Sequence, residues 1–255
     1  MRKKVENYLL SKIKEKGCIH LSLLDPDKIK IERAKEVART IESIGSSAIM
    51  VGGSTCTGKF SFDDLIIELK SGSNLPIIIF PGNIASISKH ADAIWFLSVL
   101  NSSNPYYITG AQALSAPIIK SCNLEAIPLG YIIISPGGAA GFVSQANVVP
   151  PDKPEIAAMY ALAAQYMGMR FIYLERGSGS NEPVPVKMVE KVRSILDESH
   201  LIVGGGIKSK EQAREIARAG AEIIVTGTLL ENENYEERMK NILEGIEEGV
   251  DERRS

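Results

Sequence analysis

The feature that most constrains the fold is an alternation of short apolar runs with helical patterns. The runs are rich in β-branched residues and nearly continuous in apolar character, which is typical of parallel strands covered on both faces. They occupy residues 18–24, 48–51, 76–80, 93–97, 127–134, 171–174, 201–203 and 222–225. Helical patterns separate most of them; for example, Ile31, Val37 and Ile41 share one helix face before Gly45. Eight such units within 255 residues predict an α/β fold, a closed (βα)8 TIM barrel forming one domain over residues 1–255, rather than an open doubly wound sheet.

Two segments depart from this repeat. At the N-terminus, Val5, Leu9 and Ile13 recur at helical spacing and predict an extra amphipathic helix. We expect this helix to cover one end of the barrel, with contact to a membrane surface as the alternative. Residues 81–92 are the only link between the third and fourth runs. Because a parallel crossover usually needs a dozen or more residues, the third outer helix is predicted to be missing or reduced to one turn. Such a gap would leave an apolar groove suited to an elongated hydrocarbon.

Composition limits the partners and the location of the protein. With 31 acidic and 29 basic residues, the formal net charge is −2, which argues against a nucleic acid partner. The cysteines Cys18, Cys56 and Cys122 form no C-x-x-C pair, which indicates a reducing cytoplasm without a disulfide framework or a structural zinc site. No apolar run approaches the ~18 residues that a membrane-spanning helix needs. We therefore expect a cytoplasmic protein with at most peripheral membrane contact.

Glycine-rich turns follow three of the predicted strands. In barrels, functional sites gather where strands end and the following loops begin. Gly204-Gly205-Gly206 follows the seventh strand, Thr226-Gly227 ends the eighth, and Gly177-Ser178-Gly179 lies just after the sixth. Glycine lets backbone N–H groups approach an anion closely. These turns predict a phosphate-binding rim, and the alternative is that the glycines only make tight turns.

Carboxylates lie at two of the strand ends. Asp25, after the first strand, is a candidate ligand for Mg²⁺, which prefers carboxylate oxygen together with substrate phosphate, and Ser54 offers a hydroxyl oxygen from the neighbouring strand. The alternative for Asp25 is a turn residue before Pro26. Glu175, after the sixth strand, is a candidate for orienting a substrate hydroxyl or accepting its proton. An exposed salt bridge with Arg176 is the alternative for Glu175.

Several motifs, taken in order along the chain, resemble one known family. They are Asp25-Pro26-Asp27-Lys28, Gly52-Gly53-Ser54, Leu100-Asn101-Ser102, Ser135-Pro136-Gly137-Gly138, Tyr173-Leu174-Glu175-Arg176-Gly177-Ser178-Gly179, Gly204-Gly205-Gly206-Ile207 and Thr226-Gly227. Together they cover essentially the whole chain and are similar to the geranylgeranylglyceryl phosphate synthases, in particular the archaeal branch. The resemblance implies a prenyltransferase that joins sn-glycerol 1-phosphate to geranylgeranyl diphosphate, the first ether-bond step of archaeal membrane phospholipid synthesis. It also implies a homo-oligomer, either a dimer or a hexamer.

Carried over by position, the resemblance gives roles to individual residues. Asp25 and Ser54 would hold Mg²⁺, the implied cofactor, and Asp25 and Glu175 would act in catalysis. Glycerol 1-phosphate would be held by Tyr173, Leu174, Glu175, Arg176, Gly177, Ser178, Gly179, Gly204, Gly205, Thr226 and Gly227. Trp95, in the fourth strand, is either a core residue or a limit on the depth of the prenyl groove. From the residues alone, another phosphate-binding TIM-barrel enzyme and a non-catalytic prenyl-phosphate binding protein remain alternatives.

Overall fold

The computed structural model describes residues 3–53, 62–227 and 234–255. Its strands are all parallel and close into a barrel in sequence order, β1 to β8, with β8 pairing back to β1. They are β1 (Ile19–Leu24), β2 (Ala48–Val51), β3 (Ile77–Ile79), β4 (Ala93–Val99), β5 (Glu125–Ile133), β6 (Phe171–Glu175), β7 (His200–Gly204) and β8 (Ile223–Thr226). The predicted (βα)8 barrel is therefore confirmed.

Helices surround the barrel and cover one of its ends. They are α1 (Lys4–Lys16), α2 (Ile31–Ile44), α3 (Phe62–Gly72), α4 (Ala111–Ser121), α5 (Gly138–Val143), α6 (Pro154–Tyr166), α7 (Val186–Arg193), α8 (Lys210–Arg218) and α9 (Tyr235–Arg254). A single π-helical turn, Tyr106–Gly110, leads into α4. Among the described residues, no helix is both long and apolar enough to cross a membrane.

Side chains along each strand alternate between two apolar layers. In β1, Ile19 and Leu21 point into the barrel, where Trp95 and Phe171 pack edge to face with ring centroids 5.2 Å apart. Leu24 belongs instead to the layer between the barrel and its outer helices. The position of a residue along its strand therefore decides which of the two layers its side chain enters.

Helix α1 closes the N-terminal end of the barrel. Its Val5, Leu9 and Ile13 belong to the same apolar cluster as the barrel interior. The first N–H groups of a helix lack partners within the helix. Here the carboxylate of Glu125, at the start of β5, accepts hydrogen bonds from the N–H groups of Val5 and Glu6, each at 2.9 Å. The predicted extra helix and its place at one barrel end are confirmed.

The crossover from β3 to β4 differs from the others. Residues 80–92, all of which the structure describes, contain turns and bends but no helix. Ile84 and Ile87 lie in this segment and face an apolar groove in the outer wall. The missing third outer helix and the groove that it was expected to leave are both confirmed.

Candidate active site

The carboxyl ends of the strands lie on one side of the barrel because the strands are parallel. Asp25 and Gly53 follow β1 and β2, and an ideal Cβ on Gly53 would lie 3.1 Å from Asp25 Oδ1. The loops after β5 and β6 also touch, since a Cβ on Gly138 would lie 3.3 Å from the Cα of Gly177. Gly227 directly follows β8, and an ideal Cβ on it would lie 3.3 Å from the main-chain oxygen of Leu23 in β1. Loops from distant parts of the sequence therefore border one mouth, as predicted.

Glu175 is the last residue of β6 and is buried in this mouth. Its Oε1 accepts a hydrogen bond of 2.6 Å from the N–H of Gly177, and the hydroxyls of Tyr173 and Tyr131 donate to the same carboxylate. Burial raises the pKa of Glu175 above its ordinary value of 4.5, while these three hydrogen bonds oppose the rise. A carboxylate fixed in this way can accept a proton from a hydroxyl placed in the mouth.

Three aromatic rings form the floor of the mouth beside Glu175. Ring centroids lie 5.2 Å apart for Tyr131 and Tyr173, 5.6 Å for Phe80 and Tyr131, and 5.8 Å for Phe80 and Tyr173. Tyr173 was predicted as a site residue, whereas Tyr131 and Phe80 were not. Tyr131 falls inside the predicted fifth strand, but only the register of β5 with β6, which pairs Tyr131 with Tyr173, brings its hydroxyl to the carboxylate.

The glycines of the mouth hold conformations that a side chain would disturb. Gly177 and Gly205 have φ values of +105° and +82°. A Cβ on Gly205 would lie 2.6 Å from the Glu175 carboxylate and 2.8 Å from the Gly177 nitrogen, and a Cβ on Gly204 would run into the Tyr173 hydroxyl. The loops after β6 and β7 thus pack closely against each other, with the main chain of Gly177 beside Gly205. Main-chain N–H groups gathered at such a site favour an anion.

Two of the predicted binding residues direct their side chains away from the mouth, and the side chain of a third pairs within its own loop. Leu174 packs in the layer between the barrel and the helices. The Thr226 hydroxyl is hydrogen-bonded to His20 Nε2 at 2.8 Å in that layer. The Arg176 guanidinium lies 3.5 Å from the exposed carboxylate of Glu182, so it does not pair with Glu175. Any contact of Leu174 or Thr226 with a ligand in the mouth would use main-chain atoms. By contrast, Ser178 and Gly179 are exposed beside the mouth.

Asp25 makes the turn that was the alternative to metal binding. Its Oδ1 accepts the N–H of Asp27 at 3.1 Å, and Lys28 Nζ lies 3.8 Å from Oδ2. The side chain is still 28% exposed, so the turn does not use the whole carboxylate. In the described ranges, no group of three or more His, Cys, Asp or Glu side chains is placed to hold a metal ion. Ser54 lies outside the described residues.

The apolar groove opens directly beside the mouth. Its lining includes Phe80, Ile84, Ile87, Ile94, Trp95, Phe96, Leu97, Val99, Tyr107 and Ile119. The empty volume is about 870 Å³, which includes the part of the groove that is open to solvent. Gly53, next to Asp25, and Tyr131, bonded to Glu175, also line it, so the groove and the mouth are continuous. Trp95 is fully buried and also forms part of the groove wall.

Fold and site together define a class: a (βα)8 barrel whose mouth suits a small anion and whose missing outer helix admits an apolar chain. The sequence profile described as the PcrB family matches residues 11–246. This chain belongs to the PcrB family.

Individual relatives agree with this membership. The geranylgeranylglyceryl phosphate synthase of Thermofilum pendens is 52% identical over 254 residues, which is 99% of this chain and 99% of that protein. The enzyme of the same name from Pyrococcus horikoshii is 50% identical over 247 residues, 97% of this chain and 96% of its own. The crystal structure of (S)-3-O-geranylgeranylglyceryl phosphate synthase from Thermoplasma acidophilum, in complex with substrate sn-glycerol-1-phosphate, superposes with a TM-score of 0.90 at 39% identity. That similarity covers 97% of this chain and all of the crystal structure's chain.

Proposed function

We propose that this protein transfers a geranylgeranyl group from geranylgeranyl diphosphate to sn-glycerol 1-phosphate, giving geranylgeranylglyceryl phosphate and diphosphate. The observation that carries the proposal is the continuity of the apolar groove with the polar mouth through Gly53 and Tyr131. A sugar-phosphate enzyme would need the mouth alone, whereas joining a prenyl chain to a phosphorylated alcohol needs both. The names of relatives about 50% identical over nearly the full chain support the same substrates.

In this reaction, Glu175 is the group that handles the substrate hydroxyl. The ether bond forms between the glycerol hydroxyl oxygen and the first prenyl carbon, while the carbon–oxygen bond to diphosphate breaks. The hydroxyl proton passes to the Glu175 carboxylate, whose raised pKa makes it a better acceptor than an exposed glutamate. Tyr173 and Tyr131 hold the carboxylate in place by donating to it. The phosphate of the acceptor is held by the main chain of the glycines at the ends of β6, β7 and β8, namely Gly177, Gly204, Gly205 and Gly227.

We also propose that Asp25 takes part in holding Mg²⁺. The residues fit this ion: Asp25 has a partly exposed carboxylate at the junction of mouth and groove, and Mg²⁺ usually binds one or two carboxylates together with substrate phosphates and waters. Ser54 is the second predicted ligand, by position in the chain. When bound, the ion would neutralise negative charge on the departing diphosphate. Asp25 itself would place that diphosphate beside Gly53, at the entrance to the groove.

The groove would hold the prenyl tail. Removing apolar surface from water is favourable by about 0.8 kcal/mol per buried CH₂ group, so a long hydrocarbon gains affinity from such a lining. The polar residues at the groove entrance leave the diphosphate in the mouth while the tail runs toward Ile84 and Ile87. Positioning both substrates can supply as much as ~7–11 kcal/mol of the activation barrier.

The test is to incubate the purified protein with labelled sn-glycerol 1-phosphate, geranylgeranyl diphosphate and Mg²⁺. We expect a labelled prenylglyceryl phosphate and equimolar diphosphate. Binding of both compounds without product would indicate a prenyl-phosphate binding protein. Binding of the phosphate ester without any affinity for the prenyl diphosphate would indicate another phosphate-handling barrel enzyme. Either result would refute the proposed activity.

Two further properties are proposed with this function. Met159, Tyr166 and Met167 on and just after α6, and Phe142 on α5, are strongly exposed apolar side chains. Because exposed large apolar side chains can mark an interface between subunits, we expect a homo-oligomer, dimeric or hexameric, which light scattering during size-exclusion chromatography would measure. A cytoplasmic location, with at most peripheral membrane contact, stays a prediction that cell fractionation would test.

A further inference from the structure

A buried polar cluster lies behind the phosphate-binding side of the mouth. It consists of His20 and Ser22 on β1, Ser46 just before β2, and Thr226, the last residue of β8. His20 Nδ1 is 2.8 Å from Ser46 Oγ, His20 Nε2 is 2.8 Å from Thr226 Oγ1, and Ser22 Oγ is 3.0 Å from Ser46 Oγ. All four residues are less than a tenth exposed. Burying polar groups in this otherwise apolar layer costs free energy unless they are hydrogen-bonded, so the cluster indicates a role other than packing.

The imidazole of His20 joins two parts of the fold that are otherwise separate. Burial lowers the pKa of His20 to about 4, so the ring is neutral at physiological pH, with one nitrogen donating and the other accepting. One nitrogen faces Ser46, in the turn between α2 and β2, and the other faces Thr226. A neutral imidazole can satisfy both hydroxyls in either tautomer. The end of β8 is thereby tied through a side chain to the start of β2, which lies on the other side of β1.

The position of this tie matters because Thr226 is directly followed by Gly227. The side chain of Thr226 points away from the mouth, so its hydroxyl does not reach a ligand there. Its main chain, however, sets the position of Gly227, the residue that directly follows β8. Main-chain N–H groups bind an anion well only when they are held in place.

We propose that His20 is a positioning residue for the glycerol phosphate, acting through the Thr226 hydroxyl on the main chain of Thr226 and Gly227. This rests on the proposed function, in which the main chain of these two residues contacts the acceptor's phosphate. In this arrangement the hydroxyl of Thr226 has a structural role and its main chain contacts the ligand. His20 touches neither the substrates nor the reacting groups.

Two substitutions of His20 separate the two contacts. The side-chain amide of glutamine reaches about as far as Nε2, so His20→Gln can keep the bond to Thr226 while losing Ser46. The shorter amide of asparagine matches Nδ1, so His20→Asn can keep Ser46 while losing Thr226. Affinity for sn-glycerol 1-phosphate, measured by calorimetry without prenyl substrate, should be close to wild type for His20→Gln. It should be about five- to tenfold weaker for His20→Asn, as expected for one lost hydrogen bond.

Thr226→Val provides a second variant of nearly the same shape, in case His20 variants fold poorly. It should weaken glycerol phosphate binding like His20→Asn, and combining the two should weaken it little further. The KM for geranylgeranyl diphosphate should stay unchanged in all of them. Ser22→Ala is the matched control, because it removes a hydroxyl from the same cluster that does not contact His20.

The outcomes distinguish the two proposals. Wild-type protein that binds no sn-glycerol 1-phosphate would overturn the proposed function and this inference together. Wild-type binding with unchanged affinity in both His20→Asn and Thr226→Val would overturn only the role of His20. Equal weakening by His20→Asn and Ser22→Ala, or a parallel rise in the KM of the prenyl substrate, would also overturn it, since either would indicate general loosening of the barrel.

Discussion

Replacing Gly205 by alanine tests the geometry of the mouth most directly. Gly205 has a φ of +82°, a left-handed conformation that costs an L-residue about 1–2 kcal/mol. The new Cβ would also lie 2.6 Å from Glu175 Oε1 and 2.8 Å from the Gly177 nitrogen. Those two atoms are hydrogen-bonded to each other, so the methyl group cannot be accommodated without moving the bond that fixes the carboxylate. The substitution should therefore cost both stability and activity.

Gly168 is the matched control for the backbone part of this cost. It has a φ of +81°, follows α6 at the opposite end of the barrel, and a Cβ there would meet nothing within 4 Å. Gly168→Ala should lower the free energy of unfolding by about 1–2 kcal/mol, or roughly 2–8 °C in Tm for a domain of this size, with normal turnover. Gly205→Ala should lose more stability than that and about 100-fold in kcat/KM, the loss expected when a reacting group is displaced by about 1 Å.

Thermal unfolding and steady-state rates of the two variants are the measurements. The two variants should differ in activity far more than in stability. If Gly205→Ala retained wild-type turnover, the carboxylate would not need its observed place, and Glu175 would not be the proton acceptor. If Gly168→Ala lost turnover to the same extent, the effect would come from backbone strain alone and not from contact with Glu175.

Three further predictions concern single charges. Glu175→Gln keeps the shape of the side chain but cannot accept a proton, so kcat should fall at least 100-fold with normal folding. In the wild-type protein, the acidic limb of the pH profile of kcat/KM should lie above pH 4.5, because burial raises the pKa of Glu175. Asp25→Asn keeps an acceptor for the Asp27 N–H but not the charge, so the Mg²⁺ response should be lost without unfolding; a normal response would place the ion elsewhere. The pKa of His20 is about 4 when folded and 6.5 ordinarily, so the unfolded chain binds more protons between these values. Unfolding free energy should thus rise by about 3 kcal/mol as pH increases from 4 to 6.5, and His20→Gln should flatten this rise in denaturant titrations.

Much of the fold was predictable because a parallel barrel repeats one simple pattern. Each strand is covered on both faces, so its residues read as a continuous apolar run, and the predicted strands differ from the observed ones by two residues or fewer at either end. The missing third helix was also predictable, because the length of residues 81–92 sets a geometric limit. Both features depend on local properties of the sequence, namely the apolar character of each run and the length of one connection.

The candidate site was predictable only where it depends on strand ends. Asp25, Glu175 and Gly204 were expected at one mouth because parallel strands share a direction, and the structure places them there. Tyr131 was not predicted as a site residue, because its place beside Glu175 depends on the register between β5 and β6. No local sequence pattern encodes that register. Thr226 was assigned to the ligand by position, whereas its hydroxyl is bonded to His20 from a strand more than 200 residues away in the sequence.

The missing helix links the architecture of this barrel to its chemistry. In a complete barrel, a third outer helix would cover β3 and β4 and fill the space that Ile84 and Ile87 border here. The mouth would then admit small phosphate esters only, as its glycine loops alone would suggest. Without the helix, the wall beside Phe80 and Tyr131 opens, and the same two residues contact both the groove and the Glu175 environment. The inner end of a hydrocarbon lying in the groove would therefore be close to the Glu175 carboxylate. An ether-forming transfer to a phosphorylated alcohol requires this arrangement.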